Sequence, residues 1–357
     1  MEKVREKIAR CERITPEECL ALFRTAALPE LGVMANAVRE RVNGKLAYFN
    51  RNAHIEPTNI CVNKCKFCSY RRAEGEPGSW DLSVEEVLNL ARSFAAQDIT
   101  EVHIVGGVHP RRSLPFYESV VAGVHKILPR AHVKAFTAEE LRHVAERSGK
   151  SVEQVLARLK ELGLHSIPGG GAEILNDEVR AKICPEKLNS AAWLRVHEQA
   201  HRLGIFSNAT MLYGHVETYE HRVEHLTRLR DLQDKTGGFN AFIPLKYRMA
   251  HNELSYAGEV SVIEDLRNMA VCRIFLDNIP HLKAYWVMLG KSAAQLALSF
   301  GADDLDGTIG NSTKIYAMAG ADDKNPRMSV GELCEMVRSA GFTPVERNSF
   351  YQPVKHY

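Results

Sequence analysis

From residue 54 onward, short runs of apolar and β-branched residues alternate with longer stretches whose apolar positions recur every three to four residues. Short runs bounded by Gly, Pro or polar residues predict strands, and the longer periodic stretches predict amphipathic helices. Strands are predicted at 54–58, 101–105, 132–136, 164–167, 205–210, 240–245, 283–289 and 304–309. Between them, helices are predicted over 84–96, 152–162, 191–203 and 222–232. The first ~45 residues read as helical: Thr15-Pro16-Glu17-Glu18 supplies an N-cap with Pro at the first helical position, and 29–42 has helical spacing that ends near Gly44. Strand-then-helix alternation with crossovers this long marks parallel β/α units. Eight of them predict an α/β fold, a (β/α)8 TIM barrel over residues 51–357 behind a helical N-terminal extension over 1–50.

A barrel of this kind carries its chemistry where strands end and loops begin. The predicted strand ends are populated accordingly. A cysteine-rich loop follows the first, Gly106-Gly107 the second, and Thr137 and Glu139 the third. Gly169-Gly170-Gly171 and Glu173 follow the fourth, and Met211, Tyr213, His215 and Glu217 the fifth. Lys246 and Arg248 follow the sixth, and Asp306-Gly307-Thr308 sits at the eighth.

Composition narrows the partners. The 357 residues hold 46 basic and 44 acidic side chains, a net charge of +2, which gives no global attraction to nucleic acid or an anionic membrane. No apolar run reaches membrane-spanning length, and Met1 to Arg10 lacks the apolar core of a signal peptide, so a cytoplasmic chain with reduced thiols is expected.

The eight cysteines are unevenly placed: Cys61, Cys65 and Cys68 fall in one eight-residue window with spacing Cys-x3-Cys-x2-Cys. Three thiolates on a short loop can each ligate one iron of an iron–sulfur cube, leaving a fourth iron open to a small molecule. Positions i, i+4 and i+7 also share a helix face. A zinc site with Cys184 or a histidine as fourth ligand is a further alternative. Cys272 and Cys334 lie in apolar helical stretches and read as small core residues.

Elsewhere, Gly106-Gly107 permits close approach to the backbone or makes a tight turn. Three glycines follow Pro168, and Glu173 is suited either to a ribose diol or to a helix N-terminus. His215 and Glu217 are candidates for hydrogen bonding or proton transfer, and Asp306 for binding or for closing a turn. Cations at the same face are Arg71, Arg72, Arg180, Lys246 and Arg248, of which arginine best suits a carboxylate.

The Cys61-x3-Cys65-x-Phe67-Cys68 loop after a first barrel strand resembles the radical S-adenosylmethionine (SAM) superfamily. That resemblance implies a [4Fe–4S] cluster on the three cysteines, SAM at the fourth iron, and a 5′-deoxyadenosyl radical formed by one-electron cleavage of SAM. It places Phe67 against the adenine, with Tyr70, Gly106, Gly107, Thr137, Glu139 and Glu173 completing the SAM site. Gly106-Gly107-Val108 departs from the usual Gly-Gly-Glu and removes one carboxylate from that site. His54-Ile55-Glu56-Pro57-Thr58-Asn59, Pro168 to Glu173, Asn208 to Thr218 and Asp306-Gly307-Thr308 resemble the menaquinone and deazaflavin branch, and most closely its aminofutalosine synthases. The resemblance implies addition of the adenosyl radical to 3-[(1-carboxyvinyl)oxy]benzoate, a small anionic aromatic substrate. Rearrangement and decarboxylation then give 6-amino-6-deoxyfutalosine, methionine and bicarbonate. His215, Glu217, Arg248 and Asp306 are the catalytic candidates for such a substrate, and the resemblance implies a reductant such as flavodoxin or ferredoxin. Cyclisation of dehypoxanthine futalosine and deazaflavin F0 synthesis are the alternatives within the branch.

Overall fold

Eleven strands are formed in the computed structural model, which describes residues 1–310, 313–321 and 326–357. They are β1 (Leu46–Asn50), β2 (Asn52–Ile55), β3 (Glu101–Ile104), β4 (His132–Ala135), β5 (Ser166–Ile167), β6 (Phe206–Tyr213), β7 (Phe239–Lys246), β8 (His281–Leu282), β9 (Asp304–Gly307), β10 (Thr343–Arg347) and β11 (Pro353–His356). Strands β2 to β8 pair in chain order as one parallel sheet. A single parallel bridge, Lys283 to Asp304, carries the wall on to β9, and β9 pairs in parallel with β1. Only Arg51 separates β1 from β2, so one bent strand meets β9 with its first half and β3 with its second. The eight expected β/α units are thus present, and the curled sheet returns on itself.

Three differences from the expected elements have physical causes. The stretch 283–289 is not a strand: the ladder stops at Leu282, and Trp286–Leu289 forms a helical turn whose Trp286 indole N–H donates to the Gly307 carbonyl at 3.0 Å. Short apolar runs do not distinguish strand from buried helix. Strand β1 lies inside the 1–50 segment read as helical, so a boundary at residue 50 cuts the barrel wall. Finally, β10 and β11 extend the sheet beyond β1. The chain around them closes the barrel floor: Arg347 Nε donates to Asp304 at 2.5 Å, Ser349 Oγ to Glu101 at 2.6 Å, and Tyr351 stacks on His281 at 3.6 Å between ring centroids.

The helices form where caps and periodicity agree. Thr15 and Glu18 make a reciprocal capping box on Pro16–Thr25, as do Ser83 with Glu86 and Thr137 with Glu140 on Val84–Phe94 and Ala138–Ser148. The N-terminal helices Glu2–Ala9, Pro16–Thr25 and Leu28–Asn43 lie against the barrel's outer layer. Arg267 and Arg230 tie them there, donating to the carbonyls of Ala26 (2.7 Å) and Ile14 (3.0 Å). No helix among the described residues is long and apolar enough to cross a membrane.

Candidate active site

The loop after β2 is held in shape by main-chain bonds before any ligand is considered. Cys61 N–H donates to Arg72 O at 3.2 Å, Arg72 N–H to Asn59 O at 2.9 Å, and Val62 N–H to Val108 O at 2.9 Å. The side chain of Asn59 bonds Gly78 O and Trp80 N–H, both at 2.9 Å. Tyr70 is buried edge-on against Trp80, and its hydroxyl donates to Thr58 O at 3.2 Å. In this frame Cys61, Cys65 and Cys68 all line a cavity of about 320 Å³ at the C-terminal ends of the strands.

Gly106 and Gly107 form part of the same wall. Their requirement for glycine comes from the protein backbone: a Cβ on Gly107 would stand 2.4 Å from Ile60 O, and one on Gly106 2.8 Å from Thr58 O. The strand end and the cysteine loop therefore pack main chain to main chain.

The thiols suit an iron–sulfur cluster. All eight cysteines are free of disulfides. The N–H of Val108 donates to Cys61 Sγ at 3.3 Å and that of Arg71 to Cys68 Sγ at 3.4 Å. Burial raises the pKa of Cys61 and of Cys65, while the Val108 N–H at Cys61 and the Lys187 ammonium near both favour the thiolates that cluster ligation requires. Cys184, buried behind Cys65, has its thiol pushed up to about 11 by the same burial.

Most of the other predicted site residues meet around this cavity. Phe67, Tyr70, Thr137, Glu139, Glu173, Arg248 and Asp306 line it. Phe67 is half-buried, with the Lys187 Nζ 5.4 Å from its ring centroid. Glu173 takes a hydrogen bond from Lys187 at 2.6 Å and sits at φ +46°. Thr137 caps its helix through Glu140, which is buried and has its carboxyl pushed up to about 7. Glu139, raised by burial, accepts the Leu188 N–H at 3.1 and 3.2 Å. Asp306, at φ +70°, accepts from Lys283 at 2.7 Å and Asn52 at 3.1 Å. Burial alone would raise its carboxyl, but Lys283 and Lys134 outweigh it and hold it well below the carboxylate range.

His215 and Glu217 are not brought to the cavity wall. Their side chains are fully buried in the turn after β6, 3.2 Å apart. Glu217 accepts the N–H groups of Gly214 (2.7 Å) and His215 (2.8 Å) and the Arg222 Nε (2.9 Å). His215 faces Leu212 O at 3.1 Å, and burial lowers its pKa. Proximity to a strand end did not reveal which way the turn folds; Gly214, at φ +87°, turns the pair inward.

The cations separate by what already holds them. Arg180 is buried on the carbonyls of Gly171, Ala172 and Leu188. Arg72 donates to Ser69 O and Arg71 O. Lys246 is held by Val260 O and Asp265, both at 2.8 Å. Arg248 donates to Gly320 O at 2.9 Å and thereby ties down the segment 313–321, whose Ile315 and Ala319 line the cavity. Arg71 also lines the cavity, and its buried Nε has no hydrogen-bond partner among the described residues.

The cavity floor was not foreseen. His54, His103 and Lys134 stand at one register on three adjacent strands. Lys134 donates to Glu101 at 2.5 Å, and the two imidazole centroids are 4.9 Å apart. Burial lowers His54 to about 4 and holds His103 well below its usual value, so both are neutral at pH 7. The available signal was the alternation of polar and apolar residues in each of three short strands, Asn52–Ile55, Glu101–Ile104 and His132–Ala135. Glu56 was quoted only as part of a motif. Its buried carboxylate accepts Thr313 Oγ1 at 2.6 Å and the N–H of Lys314 at 3.0 Å, holding the segment 313–321 from the other side.

A curled parallel sheet with three thiols on the loop after β2, facing a largely apolar cavity at the strand ends, defines an α/β barrel with a donor set suited to an iron–sulfur cluster. The chain belongs to the radical SAM superfamily: its family model matches residues 55–229, and the model of the CofH/MqnC C-terminal region matches 236–356. It is 41% identical over 356 residues to the aminodeoxyfutalosine synthase of Thermus thermophilus, covering 99% of this chain and 95% of that one. The aminodeoxyfutalosine synthase of Streptomyces coelicolor is 39% identical (99% and 94% covered). The cyclic dehypoxanthine futalosine synthase of the same organism is 36% identical (99% and 88%). The fold is shared with methylornithine synthase (TM-score 0.74, 16% identity, 96% and 97% covered) and with the hydrogenase maturase HydG of Carboxydothermus hydrogenoformans (TM-score 0.77, 19% identity, 98% and 80% covered). The superfamily works with a [4Fe–4S] cluster and SAM, and the three cavity thiols fit that cluster.

Proposed function

We propose that this chain forms 6-amino-6-deoxyfutalosine from SAM and 3-[(1-carboxyvinyl)oxy]benzoate, releasing methionine and bicarbonate in a menaquinone pathway. The observation that carries this reading is full-length similarity to two aminodeoxyfutalosine synthases, which extends from the cysteine loop through the C-terminal strands. When bound on Cys61, Cys65 and Cys68, the cluster supplies the electron that divides SAM into methionine and a 5′-deoxyadenosyl radical.

The chain's own residues do the rest by position. Phe67, the glycine run 169–171 and Glu173 form the side of the cavity next to the thiols and suit the adenosyl group. Arg71 offers its guanidinium to a substrate carboxylate, a pairing worth roughly 1.5–3 kcal/mol. Neutral His54 and His103 with paired Lys134 give the aromatic acid a hydrogen-bonding floor without a strong base beside the radical. Arg248 and Glu56, which hold 313–321 against the cavity, exclude water. A flavodoxin or ferredoxin is the reductant in this reading, and the cytoplasm the location.

The test is to incubate the reconstituted, reduced enzyme with SAM and the enolpyruvyl benzoate under anaerobic conditions. The expected result is a product carrying the adenosyl group, detected by mass spectrometry. Its absence, together with turnover of dehypoxanthine futalosine and release of 5′-deoxyadenosine, would reassign the chain to the cyclisation reaction.

A further inference from the structure

Two of the three cluster cysteines face two spaces at once. Cys65 and Cys68 line the inner cavity, and they also line a separate outer groove with Lys64, Lys66, Arg71, His251, Asn252 and Glu253. The groove therefore lies across the cysteine loop from the substrate. Apart from Arg71, which also lines the inner cavity, its fixed charges are Lys64 and Lys66 against Glu253. Lys64, Lys66 and His251 are exposed. The two loops that form it are pinned to each other and to the barrel: Glu253 N–H donates to Lys66 O at 2.8 Å, Lys66 N–H to Ile183 O at 2.8 Å, and Ser69 Oγ to Ala250 O at 2.5 Å. Val62 on one loop and Met249 on the other are 38% and 46% exposed, apolar contacts beside a charged groove.

During turnover the inner cavity holds SAM and the aromatic acid, so a protein donor cannot approach the cluster from that side. Electron transfer between proteins needs close approach of the two centres, and the outer groove brings the surface to two ligand sulfurs. We propose that this groove is the docking site of an acidic one-electron donor protein, with Lys64 and Lys66 as the steering charges. One electron passes from donor to cluster, the donor is oxidised by one electron, and no atom or proton is transferred. Fixed cations raise the encounter rate with an acidic partner and make it dependent on salt. Neither lysine side chain touches the cavity, so their loss leaves the chemistry of the site in place. The proposal rests on the three cysteines holding the cluster.

The experiment uses the reconstituted holoenzyme, wild type and K64Q/K66Q, and follows cluster reduction by stopped-flow absorbance and the EPR signal of the reduced cluster. The reductants are reduced flavodoxin, as the acidic protein donor, and dithionite. The expected result is a flavodoxin rate about tenfold lower in the variant at low salt. The two proteins should converge at about 1 M salt, where the Debye length is about 3 Å. Dithionite rates, EPR amplitude and midpoint potential should match. A flavodoxin rate that is unchanged in the variant, or insensitive to salt in the wild type, would overturn the docking site. So would wild-type dimerisation that the variant loses while its flavodoxin rate stays the same, which would assign the groove to a second copy. Failure of dithionite to reduce the wild type would remove the cluster reading itself.

Discussion

In the proposed reaction Arg71 is assigned to a substrate carboxylate, because it lines the cavity and its buried Nε has no hydrogen-bond partner among the described residues. Lys134, Lys187 and Lys246 on the cavity wall each have a carboxylate partner within 2.8 Å, and Arg248 is bonded to Gly320 O. Replacing Arg71 with Gln should raise KM for the aromatic dicarboxylate about 10- to 100-fold, the effect of losing one charge-assisted contact. Iron content and SAM cleavage without substrate should stay at wild-type levels. Arg71→Lys should recover only part of the loss, because an ammonium cannot bind a carboxylate in bidentate fashion. An unchanged KM in steady-state kinetics would remove Arg71 from the substrate site. At this scale the cysteines were readable because cluster ligation needs thiols close together on one loop. His54, His103 and Lys134 were not, because their meeting depends on strand register rather than on local spacing. His215 and Glu217 were overvalued, since a strand end locates a residue without saying where its side chain turns.

Among the elements, the end of β3 and the cysteine loop pack main chain to main chain with no room for a side chain. Gly107→Ala would put a Cβ 2.4 Å from Ile60 O, and a shift of the loop must follow. The expected outcome is a loss of about 1–3 kcal/mol in stability and of at least half the bound iron. Gly331→Ala, in the helix Val330–Ser339 where a Cβ would meet only Ser329 Oγ at 3.8 Å, should be neutral or slightly stabilising. Thermal melts and iron assays separate the two, and normal iron loading in the first variant would contradict the packing role. Long periodic helices and buried strands were legible because their apolar spacing is set by the element itself. Strand β1 was hidden by the helix before it, and β10 and β11 because they pair outside the repeating β/α pattern.

For the molecule as a whole, the balanced net charge conceals a strongly sorted interior. Burial lowers His54 and His201 to about 4 and His132 and His225 to about 3. Each is proton-free in the fold and takes a proton on unfolding once the pH falls below about 6.5. Stability is therefore intact above pH 6.5 and lost progressively down to about pH 4 for His54 and His201 and about pH 3 for His132 and His225. At pH 5 each such group costs about 2 kcal/mol. The raised carboxyls of Glu140, Glu139 and Glu56 act in the opposite direction and offset part of the loss. Urea unfolding of the cluster-free protein should give a lower midpoint at pH 5 than at pH 7. An equal or higher midpoint would mean that these imidazoles are solvated.

Also at the scale of the whole enzyme, the fate of the adenosyl group distinguishes the proposed reaction from the cyclisation of dehypoxanthine futalosine. Reduced holoenzyme given SAM labelled in the ribose, with 3-[(1-carboxyvinyl)oxy]benzoate, should transfer the label into 6-amino-6-deoxyfutalosine with one methionine released per product. Recovery of the label as free 5′-deoxyadenosine, with the benzoate unchanged, would contradict the assignment.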